Sequence, residues 1–220
     1  MAGFTHYPLE HGLLEDHTLS EFPTAIWAWR DARLMVHAAG TQFGFVQEGP
    51  ATLECESGTF ELRSGMYFAV SGQCRLHGGS GLVVSRLNYH GFFHLGGPVE
   101  QRGRLRYIDG CSDSLLIPPV AWGDPCLNLL HLPPHTRQSE HTHPSLRVGI
   151  VIRGAGRCVL PDREVALYPG QIFAIRAEQL HCFHTDSSEM AVVAFHPDSD
   201  FGPTDERHPM INRTFVSENT

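Results

Sequence analysis

The sequence predicts an all-β protein built as two tandem barrels. Short β-branched and aromatic runs, punctuated by Gly, Pro, Asp and Ser, recur along the 220 residues, which is the pattern of strands joined by tight turns. No long segment carries the 3.6-residue apolar period of an amphipathic helix. One stretch also repeats. GFVQEGPATLECESGTFELRSGMYFAV (44–70) lies on GIVIRGAGRCVLPDREVALYPGQIFAI (149–175) at a constant offset of 105, with seven of 27 positions identical.

The elements follow in order. Residues 9–35 hold a short helix or an edge strand. Strands are then expected within TFELRSGMYFAVSG, LVVSRLNY, CLNLLHL, RVGIVIRG, RCVL, EVAL, QIFAI and MAVVAFH. In the repeat, Gly44/Gly149, Gly49/Gly154, Gly65/Gly170 and Phe68/Phe173 coincide. Matching glycines imply one backbone path taken twice, through turns that need positive φ. Each copy reads as strand, Gly turn, strand, turn, strand, P-G or S-G turn, strand. Strands so spaced close into a small barrel or jelly roll, which hides their edges. The Pro- and Gly-rich stretch 96–125 separates the copies, giving an N-terminal unit over 1–105 and a C-terminal unit over 106–220.

Composition narrows the function. Apolar residues make up 41% and charged residues 18%, an ordinary soluble balance. The formal charge of −8, with no basic stripe, argues against nucleic-acid or bilayer binding. The start MAGFTHYPLEHGLLEDHTLSEF has neither a basic nor an apolar leader region, and no apolar run is long enough to span a bilayer. Cysteines 55, 74, 111, 126, 158 and 182 are scattered without a C-x-x-C and read as reduced and buried. A cytoplasmic protein is expected. Phosphate-binding Gly loops, the G-x-S-x-G elbow and H-E-x-x-H are all missing from the sequence.

The chemistry concentrates in SEHTHPSLRVGIVIRGAG (139–156). On a regular strand His141, His143, Ser145 and Arg147 share a face. Two imidazoles at i and i+2 converge on one ion if that face lines a narrow barrel, and His181, just after QIFAI, is the candidate third ligand. Neutral imidazoles suit Fe, Zn, Ni or Cu, and three protein ligands leave open positions. His184 has the opposite parity to His181 and is expected to face outward, Phe183 inward. Gln138 and His135 precede the pair on a loop, lining the mouth or solvated. Trp122, Tyr107 and His131 are candidate cavity residues whose direction the sequence leaves open. In the N-terminal copy the offset maps His141, His143 and Arg147 to Val36, Ala38 and Gln42. That copy therefore lacks metal ligands and reads as a structural or dimerising barrel with an apolar interior. The tail 196–215 is polar, rich in Pro and Asp, and lacks the spacing of a calcium loop.

The C-terminal half resembles a cupin. His135, His141-Thr142-His143, Arg147 and Gly154 fall at the spacings of the first cupin motif, G-x5-H-x-H-x3/4-E-x6-G. Gly170, Arg176, Glu178, His181 and Thr185 fall at those of the second, G-x5-P-x-G-x2-H-x3-N. The resemblance covers about 125–197 directly, and 34–90 through the repeat. It implies two tandem cupin-type barrels (double-stranded β-helices) with a divalent metal in the second. Arg147 stands where the family has a glutamate ligand, and a guanidinium stays protonated and is a poor ligand. A three-histidine site of His141, His143 and His181 remains, as in cupin thiol and diketone dioxygenases. Fe(II) is favoured, with Zn, Ni or Mn as alternatives. Beside a cation, Arg147 either shares a substrate carboxylate with it or turns to an acidic partner such as Glu140 or Glu178.

The resulting expectation is a non-haem iron dioxygenase-like oxidoreductase acting on a small anionic or chelating molecule. A homodimer is an expected assembly. Two rivals stand beside this reading. One is a metal-dependent isomerase or lyase with His135 or a cavity tyrosine as base, and the other is a non-catalytic small-molecule-binding barrel.

Overall fold

The computed structural model describes residues 3–37 and 39–199. Of the sequence expectations, Ala38 and the tail beyond Ser199 lie outside the described residues. The N-terminal strands are β1 (Phe4–Tyr7), β2 (Gly12–His17), β3 (Thr24–Arg30), β4 (Leu34–Val36), β5 (Gly40–Glu48), β6 (Ala51–Cys55), β7 (Gly58–Leu62), β8 (Tyr67–Ser71), β9 (Cys74–His77), β10 (Ser80–Leu87) and β11 (His94–Gly96). There follow β12 (Leu105–Arg106), β13 (Ser112–Ile117), β14 (Cys126–Leu132), β15 (Arg147–Gly154), β16 (Gly156–Val159), β17 (Glu164–Leu167), β18 (Ile172–Ile175), β19 (Cys182–His184) and β20 (Met190–His196). A single 3-10 turn, Ile108–Gly110, is the one helical element among the described residues. Residues 9–35 are therefore strands, which settles the helix-or-strand alternative. The Trp27, Trp29 and Ile26 side chains favour a pleated, half-buried surface over a helix.

Each barrel pairs a large sheet with a small one. The N-terminal barrel has the order β11-β8-β5-β10-β3-β2 against β4-β9-β6-β7. The C-terminal barrel has β1-β18-β15-β20-β14-β13-β12 against β17-β16-β19. The first strand crosses over: residues 4–7 pair with Ile172–Ile175, placing the start of the chain on the C-terminal sheet. On the linker side, β11 pairs with β8 and β12 with β13, so the change of barrel falls between Gly96 and Leu105.

The two large sheets lie back to back, and strand parity divides their residues between three cores. On β20, Ala191, Val193 and Phe195 face the other barrel, while Met190 and Val192 face the interior of their own. On β5, Phe43 and Phe45 face outward to the shared core, and Val46 inward. Phe43 meets Phe195 across the seam at 5.0 Å between ring centres. Burial on both faces is why these strands read as continuous apolar runs. Each fully buried Phe or Leu contributes roughly 2–3 kcal/mol by removal from water.

The repeated glycines have two physical reasons, and positive φ is only one of them. Gly65 and Gly170 are left-handed, at φ 82° and 84°. Gly44 and Gly149 have ordinary strand backbones, but a Cβ there would stand 2.0 Å from the Phe68 ring and 2.3 Å from the Phe173 ring. The Gly/Phe pair is thus one packing unit used twice, a ring laid flat over a glycine on the neighbouring strand, and Gly44↔Phe68 and Gly149↔Phe173 are register partners.

In the N-terminal barrel the place of Arg147 is taken by buried Gln42. Its Nε2 donates to the Gly72 carbonyl (3.0 Å), and its Oε1 accepts from Ser85 Oγ (2.5 Å). Ser85 Oγ in turn accepts from Trp27 Nε1 (3.1 Å). The interior of this barrel is otherwise apolar, with Val36 at the position of His141, and the hydrogen bonds of Gln42 make its buried amide inexpensive.

Candidate metal centre

The segment before β15 builds the site. Residues 141–143 run extended against 178–184: His141 and His181 exchange both backbone hydrogen bonds at 3.0 Å, and Glu178 N–H donates to the His143 carbonyl at 2.8 Å. Pro144 then stops the ribbon because it has no N–H and restricts the residue before it. The chain bends through Ser145 and Leu146, and the strand begins at Arg147. The regular strand expected over 141–147 is thus broken, but the i, i+2 pairing of the two imidazoles survives. Ring centres are 5.0 Å apart for His141/His143, 4.6 Å for His141/His181 and 5.2 Å for His143/His181. One ligand atom from each lies within 4.8 Å of the others.

The donor set suits a cation. His141 Nδ1 and His181 Nδ1 each lie 2.8 Å from a backbone carbonyl, of Ser139 and Gln179. Donation from Nδ1 leaves Nε2 as the lone-pair nitrogen, the usual outer-shell arrangement of a metal-binding imidazole. His181 Nε2 is buried and has no hydrogen-bond partner among the described residues. An orphaned buried acceptor costs about 1–3 kcal/mol unless something binds it. Burial first, then the Arg147 charge, pushes His143 down to about 3. Burial pushes His181 down to about 4, against the raising effect of its Gln179 hydrogen bond. Both are neutral at pH 7, the form that ligates.

Arg147 is buried, with 8% of its surface exposed. Its guanidinium donates to Ser145 Oγ (2.6 Å) and to the Leu146 carbonyl (3.1 Å). Asp198 Oδ1 lies 3.9 Å away, and Ser145 Oγ donates to the same oxygen. Among the described residues the acidic neighbour is Asp198, not Glu140 or Glu178; Glu178 instead accepts from Thr142 at 3.4 Å. Arg147 is braced from behind and still lines the cavity.

That cavity has a volume of about 570 Å³, within the usual range for small-molecule sites. All three histidines line it, with mostly apolar walls that include Leu130, Phe173, Ile175 and Val192. Gln138, Phe183 and Tyr107 also line it. Trp122 is 68% exposed and not part of the wall, and His131 is buried against Glu189 at 3.0 Å. His184 is half-buried, with Nε2 3.4 Å from Cys182 Sγ.

Among the wall residues that escaped the sequence reading are Asn128, His196 and Asp113. Parity could have found the first two. Asn128 shares a face with Leu130 and Leu132, and His196 with Val192 and Ala194, so each is a polar residue on an inward apolar face. Asp113 lies in a strand, SDSLLI, that carried no strand signal. Burial raises its carboxyl to about 6, against the lowering hydrogen bond from Asn128. Burial, then Arg147 and His143, holds His196 well below the ordinary imidazole value.

His135 is exposed and is not part of the cavity wall. Its φ is 62°, and Glu178 has φ 59°. Both stand where the resembled motifs have glycine, so the backbone path is kept and a side chain is held in a left-handed conformation. The strain of roughly 1–2 kcal/mol per residue exceeds the entropic cost of glycine. His135→Gly and Glu178→Gly are each expected to stabilise by about 0.5–1 kcal/mol, raising Tm by about 2–3 °C in calorimetry. A fall in Tm for both would refute the strain account.

A search by sequence among curated proteins finds no match. The family model described as "Cupin domain" matches residues 128–196. Among solved structures, the chain is similar to a cupin 2 conserved barrel domain protein from Leptotrichia buccalis, with TM-score 0.58, 10% identity, and 88% of each chain covered. It is similar to salicylate 1,2-dioxygenase from Pseudoaminobacter salicylatoxidans as its gentisate adduct, with TM-score 0.58, 11% identity, and 79% of this chain and 67% of that one covered. It is also similar to a putative glyoxylate induced protein from Pseudomonas aeruginosa, with TM-score 0.61, 12% identity, and coverage of 91% and 82%. Residues 128–196 match the cupin domain model, and the all-β chain has the fold of the cupin barrel structures to which it is similar.

Proposed function

We propose that His141, His143 and His181 hold one divalent metal ion, Fe(II) by preference, and that the C-terminal barrel oxidises a small organic anion with O₂. The observation that carries this reading is three imidazole ligand atoms within 4.8 Å of one another on the wall of a cavity of about 570 Å³. When bound, the ion supplies redox chemistry and Lewis acidity at open coordination positions. Arg147, fixed by Ser145 and Asp198, orients a substrate carboxylate. Phe173, Phe183 and the aliphatic wall exclude water from the reacting groups. A dioxygenase neighbour that accommodates gentisate supports the small-molecule reading. The N-terminal barrel, with Gln42 in the place of Arg147, is assigned a structural role.

One observation favours a second reading. Asp113, on the cavity wall with its carboxyl near 6, is suited to moving a proton at neutral pH, as a metal-assisted isomerase or lyase requires. In this reading it takes the role of base for which His135 or a cavity tyrosine was expected.

The test is elemental analysis of the purified protein beside oxygen-electrode assays over a panel of small aryl and keto carboxylates. Stoichiometric iron and substrate-dependent O₂ uptake are expected, with Arg147→Gln raising KM for anionic substrates at least about tenfold and lowering kcat less. Zn, Ni or Mn with turnover under anaerobic conditions would replace the first reading by the second. Protein that takes up no metal would overturn both.

A further inference from the structure

The cavity wall carries a polar group that the metal site does not use. Asn128 is 5% exposed and lines the cavity. Its Nδ2 donates to Asp113 Oδ2, and its Oδ1 is buried without a hydrogen-bond partner among the described residues. Asp113 lines the same cavity. Buried acceptors are almost always satisfied, and one left open on a pocket wall is matched by a donor on the molecule that fills the pocket.

Strand register sets the reach. Gly149, Ala194 and Asn128 lie in one row across β15, β20 and β14. Asn128 is therefore two strand spacings, about 10 Å, from β15, in the row two residues along that strand from Arg147. Leu130, Val192 and Phe173 line the same cavity with apolar surface.

We propose that Asn128 and Asp113 form a second recognition point. It accepts hydrogen bonds from a hydroxyl or protonated amine at the end of the substrate remote from its anionic group. The substrate class is then a compact organic acid whose body is apolar and whose far end bears a donor. Asn128 Oδ1 takes one hydrogen of that donor, and the Asp113 carboxylate takes a second hydrogen or the charge. This inference rests on the reading of Arg147 as the anion anchor.

The experiment is calorimetric titration of the full chain loaded with Zn(II), which is redox-inert, so that no probe turns over. The probes are 4-hydroxyphenylacetate, 4-(aminomethyl)phenylacetate and the apolar isostere 4-methylphenylacetate. One or both donor probes are expected to bind the wild type at least about tenfold more tightly than the methyl probe. Asn128→Leu is expected to bring that ratio close to one without weakening the methyl probe. Asp113→Asn, nearly isosteric, lowers the ratio for the ammonium probe most, and it keeps the test open should Asn128→Leu fail to fold. If all three probes bind the wild type equally and all are weakened by Arg147→Gln, the second recognition point is wrong and the anion anchor stands. If none binds, the anchor reading fails and takes this inference with it.

Discussion

His143→Ala is expected to lower affinity for divalent metal by about 10²–10³-fold while the barrel stays folded. Four-ligand sites bind Zn²⁺ with apparent free energies of about 10–16 kcal/mol, so one ligand is worth about 2.5–4 kcal/mol. The loss is not repaired locally. Among the described wall groups, His196 has its ring centre 6.4 Å from that of His143, and the Arg147 guanidinium repels a cation. The fold is expected to survive because His143 lies outside the regular strands, before Pro144, and belongs to none of the three apolar cores. The measurement is a competitive titration with a chromophoric chelator beside a thermal melt. Wild-type protein should gain Tm on addition of Zn²⁺ by mass action, and the variant should gain none at the same concentration. A variant that keeps stoichiometric, tight metal would show that the three imidazoles are not the ligand set.

The parts of this molecule that were legible in the sequence are those set by short-range rules. Strands appear where β-branched and aromatic residues run between turn formers, and the 105-residue offset exposes the second barrel because both copies must lay a Phe ring on a glycine. The three histidines were readable because two share a parity and the third follows a strand that pairs with Arg147–Ile150. What was not legible depends on long-range placement. The acidic neighbour of Arg147 comes from Asp198, 51 residues further along the chain, and no spacing rule announces it. The exchange of Phe4–Tyr7 into the C-terminal sheet likewise follows from a free sheet edge and not from any local signal. For His135 the sequence left a mouth-lining and a solvated place open; the structure gives it an exposed place and a conformational meaning, a φ of 62°. Asp113 was silent because a carboxylate inside a strand opposes the local propensity. Such local conflicts concentrate where function outweighs foldability.

Asp113→Asn is expected to raise stability by about 2–3 kcal/mol above pH 6 and by nearly nothing at pH 4. The carboxyl titrates near 6 in the folded chain, raised from 3.8 chiefly by burial. Between those values the folded state binds more protons than the unfolded one, so wild-type stability falls as pH rises through the interval and levels off above it. At about 1.36 kcal/mol per unit, the interval corresponds to about 3 kcal/mol, reduced somewhat by water reaching the open cavity. An amide at 113 is close in shape to the protonated acid, can still accept from Asn128 Nδ2, and does not ionise. Other titrating groups contribute to both proteins, among them the Glu15 and Glu189 carboxylates held below their ordinary range by hydrogen bonds. They cancel in the difference between paired urea melts taken from pH 4 to pH 8. A difference that stays flat across this range would mean that the carboxyl titrates normally and is solvated. A difference that opens between pH 4 and 6 would mean that the chain gives up stability to keep an ionised acid on the cavity wall. Asparagine would avoid such a cost, so its appearance in the melts would point to a group kept for what the cavity binds or does.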